Sequence, residues 1–147
     1  MTIVMDRAAL TQFLAQEFPQ VADDLIVDKV DAQVLTLRLK VQDTHLRPGG
    51  TVSGPTMFAL ADVGIYLRIL SFIGPVALAV TTNATIDFMR KPQAGRDLLA
   101  DCRLLKLGRS LAVAETLIHS EGVEAPVARC SMTYAIPPDA SVPRPSL

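Results

Sequence analysis

One carboxylate, Asp62, stands in the run Gly54-Pro55-Thr56-Met57-Phe58-Ala59-Leu60-Ala61-Asp62-Val63-Gly64-Ile65-Tyr66-Leu67, which otherwise reads as a buried helix. Holding an ionised acid in apolar surroundings costs several kcal/mol unless something compensates it. Eight residues earlier comes Gly54, behind the flexible stretch Pro48-Gly49-Gly50-Thr51-Val52-Ser53. A helix begun there turns free backbone N–H groups and the positive end of its dipole towards any polarised oxygen. Acid and electrophile then lie about two turns apart on one element. A positioned carboxylate and a preorganised N–H donor suit attack on an activated carbonyl. The plain structural alternatives are an Asp62 that bonds Tyr66 one turn on, or a hydroxyl across an interface, and a Gly54 that merely turns the chain.

The elements that must hold these groups follow from periodicity. Asp6 to Phe18 places Leu10, Phe13, Leu14 and Phe18 at nearly helical spacing, and Pro19 ends the pattern. Leu25 to Val30 and Val34 to Val41 read as a hairpin, the second strand alternating Leu35, Leu37, Leu39 and Val41 with Thr36, Arg38 and Lys40. The apolar helix, predicted over 54–73, is closed by Gly74-Pro75. Beyond it, Val76 to Arg90, Leu98 to Leu107, Ser110 to Ser120 and Pro126 to Ile136 read as four strands. In the first of these, Val76, Leu78, Val80, Ala84, Ile86 and Phe88 are expected on one buried face. The joints at Gly108-Arg109 and Glu121-Gly122 are short, so neighbours should be antiparallel. A helix apolar nearly all round needs cover, and wrapping the sheet around it gives an α+β fold in a single domain over 1–138. Residues 139–147 form a Pro-rich tail with no foldable pattern, expected to be loose or laid on a neighbouring subunit.

With 147 residues, 50% apolar and 20% charged, the chain fits one core. Its 14 basic and 15 acidic groups leave a net charge of -1, which favours neither nucleic acid nor an anionic membrane as partner. No leader is visible at the N-terminus, and Asp62, Arg68 and Ser71 interrupt the longest apolar stretch, so a cytoplasmic protein is expected. Cys102 and Cys130 lack metal-ligand spacing and read as small buried thiols; with only His45 and His119 besides, no metal site is expected. His119 reads as a surface or interface side chain in a strand, and His45 as a residue of the loop before the glycines, with the lining of a pocket as its minor alternative.

The chain resembles the hotdog superfamily, and within it the acyl-CoA thioesterases of the phenylacetate-degradation type. Three motifs carry the resemblance: Ser53 to Asp62, where the family has His-Gly-Gly, apolar residues and Leu-Ala-Asp; Thr81 to Pro92, similar to its Thr-rich strand and Arg-Pro element; and Leu107-Gly108-Arg109-Ser110. The resemblance implies that the Gly54 N–H polarises a thioester carbonyl and that Asp62 is nucleophile or general base, the two coming from opposite subunits of a homodimer, itself part of a homotetramer. It implies that Thr81 holds the water or the acid, and it puts Arg90, Lys91 and Arg109 where a coenzyme A phosphate would be met. Ser53 replaces the family's histidine and Pro55 its second glycine; Pro55 has no N–H, so the oxyanion site falls to Gly54, Thr56 or both. Arg47 stands near the place of a carbonyl-orienting Asn or Gln, and Asn83 follows Thr81 on the same strand. Met57 or Phe58 is a minor candidate for the wall of an acyl pocket. The implied reaction is hydrolysis of an acyl-CoA or aryl-acyl-CoA to acid and coenzyme A, without a cofactor. The alternative on the same fold is a non-catalytic acyl-CoA binder or sensor; a dehydratase is disfavoured by the lack of a histidine and acid pair at the helix head.

Overall fold

The computed structural model describes residues 1–138; the Pro-rich tail lies outside them. The chain starts with α1 (Arg7–Glu17), capped by the Asp6 carboxylate, which accepts from Ala9 N–H at 2.9 Å. Leu10, Phe13 and Leu14 are its buried stripe. Pro19 does end α1, and it also opens a short second helix, α2 (Pro19–Ala22), that periodicity does not announce. Proline suits a first helical turn, where its missing N–H has no partner to lose.

The sheet follows as β1 (Leu25–Val30), β2 (Leu35–Leu39), β3 (Val80–Phe88), β4 (Leu98–Leu107), β5 (Leu111–Ser120) and β6 (Ala128–Ala135), all paired antiparallel in the order β1-β2-β4-β5-β6-β3. Between β2 and β3 runs α3 (Gly54–Ile73), against which β2, β4, β5, β6 and β3 all pack. This is the hotdog arrangement of a long helix wrapped by a sheet. α3 is long and apolar enough to cross a membrane, but 78% of its apolar window is buried in the chain's own core. Gly64 permits the closest approach: a Cβ there would stand 2.6 Å from Cys102 Sγ on β4.

β3 departs from the expected pattern. Its ladder starts at Val80, after a turn through Val76–Ala79, and its register against β6 shifts between Thr81 and Asn83. One extra residue there puts Leu78 and Val80, which precede it, out of phase with Ala84 and Ile86, whereas Phe88 keeps their phase and is exposed at the end of the strand, its ring over Gly54. Leu78, Val80 and Phe88, expected inside, are 76%, 56% and 53% exposed. Only Val76, Ala84 and Ile86 of that set are buried or half-buried.

Candidate active site

Asp62 projects from the middle of α3 and is half-buried. Its Oδ1 accepts two short hydrogen bonds at 2.6 Å, from the Thr81 hydroxyl at the start of β3 and from the Tyr134 hydroxyl near the end of β6. The Tyr134 proton can also reach the Asp62 carbonyl at 3.0 Å, and the shorter carboxylate contact is the stronger claim on it. Both donors bind the same oxygen. Among the described residues Oδ2 has no partner, and the only buried unpartnered side-chain N or O is Arg68 Nε. Oδ2 is therefore not sealed in. It opens on a cleft of about 370 Å³ whose lining includes Asp62, Thr81, Tyr134, Tyr66, Val63 and Glu17.

The surroundings keep the donors protonated. Burial, then the hydrogen bond to Asp62, pushes the Tyr134 phenol well above its ordinary range. Burial and the charge of Glu17 push Tyr66 up to about 12. The Tyr66 and Tyr134 rings lie stacked with centroids 6.0 Å apart, and Tyr66 donates to the Ala77 carbonyl at 2.9 Å, not to Asp62. The partner of the acid is thus a tyrosine distant in sequence.

The head of α3 is the second half of the site. Ser53 is the N-cap, its Oγ accepting from Thr56 N–H at 3.3 Å and donating to Thr56 Oγ1 at 2.8 Å. Met57 N–H bonds the Ser53 carbonyl, and Pro55 has no N–H. Among the described residues this leaves the Gly54 N–H without an acceptor, whereas the Thr56 N–H is engaged by Ser53. The Phe88 ring covers Gly54, and a Cβ on that glycine would lie 3.2 Å from it. Beside the same turn, Thr56, Pro55, Ala59, Leu60, His45 and Leu39 line part of a mainly apolar cleft of about 260 Å³, with Val63 as a wall common to both clefts. Met57 is buried and absent from both linings, and Phe58 is exposed.

The geometry can attack and polarise a carbonyl. What such a site belongs to is decided by the sequence pattern of the thioesterase superfamily, which matches residues 49–127. The chain belongs to the thioesterase superfamily. A candidate thioesterase from Silicibacter sp. TM1040 is 58% identical, with a TM-score of 0.88 over 94% of this chain and 96% of that one. A candidate esterase of Pseudomonas aeruginosa is 32% identical over 73% of this chain and 79% of its own length. The phenylacetic acid degradation protein PaaI of Thermus thermophilus, solved as a point mutant, is 27% identical, covering 80% of this chain and 97% of that one at a TM-score of 0.68.

Within this superfamily member the expected site residues fall into separate groups. Asp62 and Thr81 touch. Ser53, Gly54 and Thr56 share the first turn of α3, about 12 Å along the axis from Asp62. Arg47 is exposed in the preceding loop, where its N–H bonds the Thr51 carbonyl. Asn83, Arg90 and Lys91 are exposed on and just after β3, and Arg109 is exposed in the β4–β5 turn. Arg90 and Lys91 lie past the Phe88 end of β3, whereas Arg109 lies at the Val80 end, because Val80 and Leu111 both pair with Ala135. One chain does not bring these cations together.

Among the described residues no three His, Cys, Asp or Glu side chains gather as metal ligands would. His45 pairs with Asp24 at 3.3 Å, and His119 with Asp101 at 3.2 Å. His119 is half-buried and tied to the Val123 carbonyl as well, which makes it a fixed joint of β5 and not a free surface group. Tyr134 is the residue that motif reasoning misses.

Proposed function

We propose that the protein hydrolyses an acyl-CoA or aryl-acyl-CoA thioester to free acid and coenzyme A. The observation that carries this reading is the Asp62 carboxylate, with Oδ1 held by Thr81 and Tyr134 and Oδ2 open to a cleft. Two hydroxyl donors fix the rotamer and leave one oxygen for work. Asp62 either removes a proton from the attacking water or adds to the thioester carbon itself. The Gly54 N–H donates to the oxygen on which charge develops in either case.

A homodimer through β3 supports the same reading. β3 is a sheet edge with exposed Val80 and Phe88, and Leu78 and Met89 flank it, also exposed. An uncovered apolar edge is a template for another strand. Asp62 is bound at the Thr81 end of β3, and Gly54 sits under Phe88 at the other end. Pairing two β3 strands antiparallel about a two-fold axis exchanges these ends, bringing Asp62 of one protomer towards Gly54 of the other. It also brings Arg109 towards the partner's Arg90 and Lys91, a cationic group suited to the phosphates of coenzyme A. The mainly apolar cleft beside Thr56 and Leu60 suits the acyl group. Such dimers pairing again would give a homotetramer.

The test is thiol release from short, long and aryl acyl-CoAs by the wild type and by Asp62→Ala. Release by the wild type, with loss in the variant and acyl-CoA binding retained, is the expected result. A wild type that binds these thioesters and releases no thiol from any of them would make the protein a binder or sensor instead.

A further inference from the structure

Arg68 follows Asp62 on α3 by six residues, about 9 Å along the axis and about a third of a turn away round it. It is 1% exposed, the largest fully buried side chain among the described residues. A guanidinium stays charged in a protein and carries five donors. Here Nη1 donates to the Asp31 carbonyl at 2.7 Å, the ring of Phe72 lies 4.4 Å from Cζ, and Nε has no partner. Asp31's carboxylate does not bond it: that group accepts Gln33 N–H, Val34 N–H and Lys29 and acts on Arg68 only through space. Burial, aggravated by nearby Arg103, presses the Arg68 guanidinium below its ordinary value. A buried cation left this way is costly, and an anion placed nearby would offset that cost.

Room for one exists. Arg68 lines a cleft of about 330 Å³ together with Arg103, Lys106, Phe72 and Leu105, and no acidic residue lines it. None of its lining residues belongs to the cleft at Asp62. The register of β4 shifts between Leu104 and Lys106, and Leu105 is 57% exposed at that bulge. A bulge re-aims side chains. Arg103 is aligned by its own bond to the Gln33 carbonyl at 3.2 Å. The Nε hydrogen itself is sealed in, but the charge of the guanidinium acts over several ångström in such a low-dielectric wall.

We propose that this cleft is a second binding site, for a small organic carboxylate with an apolar body. Its head would face Arg68, Arg103 and Lys106, and its body would rest on Phe72 and Leu105. The volume is at the lower end of ordinary ligand sites, which suits a small molecule. This site is independent of the thioesterase reading.

The experiment titrates octanoate, 1-octanol and inorganic phosphate into the full chain, following amide NMR shifts and thermal stability. Saturable octanoate binding is expected, with shifts at Gln33 and Leu104 to Leu107, a rise in melting temperature, and weaker responses to octanol and phosphate. The exposed double variant Arg103→Ser/Lys106→Ser should lose about tenfold or more in affinity, a change of about 1.4 kcal/mol. Arg68→Met, if circular dichroism shows it folded, should lose more, whereas Asp62→Ala should bind as the wild type does. Absence of saturable binding overturns the site, as do equal affinities for octanol or phosphate, shifts confined to Asp62 and Thr81, or indifference to the double variant. Dilution-dependent self-association abolished by the double variant, without an octanoate response, would assign the cleft to a second copy of the chain and also overturn it.

Discussion

One chain finishes the two edges of its sheet in opposite ways. At the β1 edge, Asp28 and Lys29 place charge on the strand, the register shifts between Val27 and Lys29, and α1 and α2 pack against it. Arg38 on β2 ties that side down, donating to Asp28 at 2.9 Å, to Asp97 at 3.1 Å and to Glu121. Charge, a bulge and helical cover are the means by which natural edges refuse partners. The β3 edge has a register shift and a charge, Asp87, of its own, but no Lys or Pro between Val80 and Phe88, and those two apolar residues are left exposed. No strand of the described chain pairs with its outer side. The first edge is covered by the chain itself; the second stays open in the single chain, and Asp62 is bonded to the start of that strand through Thr81. The difference teaches where to look for chemistry: beside the edge the chain does not finish.

The sharpest way to break this comparison is chemical. Asp62→Asn should lower thioester turnover by about a hundredfold to ten-thousandfold, the usual range for a lost positioned acid or base, while the fold persists. An equally large loss on disturbing the β1 edge would erase the distinction. Next comes association. Val80→Lys with Thr85→Lys puts like charges on the open edge, so sedimentation should shift from dimer to monomer and turnover should fall with it. An active monomer would refute the assignment of Asp62 and Gly54 to opposite protomers. Tyr134→Phe removes one charge-assisted donor from Asp62, so kcat should fall about tenfold or more with KM less affected. Tyr66→Phe is the control, because its hydroxyl serves the Ala77 carbonyl and not the acid. Equal effects of the two variants would deny Tyr134 its special place.

The contrast between the edges also explains what could be read from the sequence. Of the strands with partners on both sides, β2, β5 and β6 obey simple alternation and β4 does so up to its bulge: Leu35, Leu37 and Leu39 are buried as their period-two spacing requires. The α3 helix was legible for a similar reason, since an all-apolar element has few places to go. β3 defeats the alternation argument because no strand of the described chain pairs with its outer side, and the shift after Thr81 changes the phase. Gly54 and Asp62 stand out in the sequence as candidates by type and spacing, although α3 holds them about 12 Å apart within one chain. Tyr134 does not, because it lies 72 residues beyond Asp62 in the chain. The available signal was its place in the buried series Cys130, Met132, Tyr134 and Ile136, where a phenol needs a partner for its hydroxyl. Arg68 read as an interruption of an apolar stretch, and its burial follows only from the packing of β4 and the β1–β2 turn around it.

A smaller effect is expected at the finished edge. Arg38 is held above its ordinary value chiefly by Glu121, and its side chain is 21% exposed, so solvent screens part of the interaction. Arg38→Met should cost about 1–2 kcal/mol of stability, and each kcal/mol corresponds to about 2–4 °C in melting temperature at this chain length. Turnover measured below the transition should not change. A loss of turnover without a loss of stability would connect the closed edge to the chemistry and dissolve the contrast.

The mildest probe uses the two thiols as reporters of opening. Burial pushes Cys102 up to about 12 and Cys130 up to about 11, the latter helped by the charge of Asp62. Raised values mean that both stay protonated well past pH 8, and alkylation requires the thiolate and access to it. Iodoacetamide at pH 8 should therefore react with either only when the sheet opens. Cys102 lies on β4 between β2 and β5, while Cys130 lies on β6, paired with Ile86 of the open-edge strand. Peeling β3 away exposes Cys130 and leaves Cys102 covered, so Cys130 should label first. Val80→Lys with Thr85→Lys should widen the gap, because a strand without its partner frays more often. Equal labelling rates in the wild type and the double variant would mean that the sheet opens as a unit and that the two edges, for all their difference in composition, are equally secure.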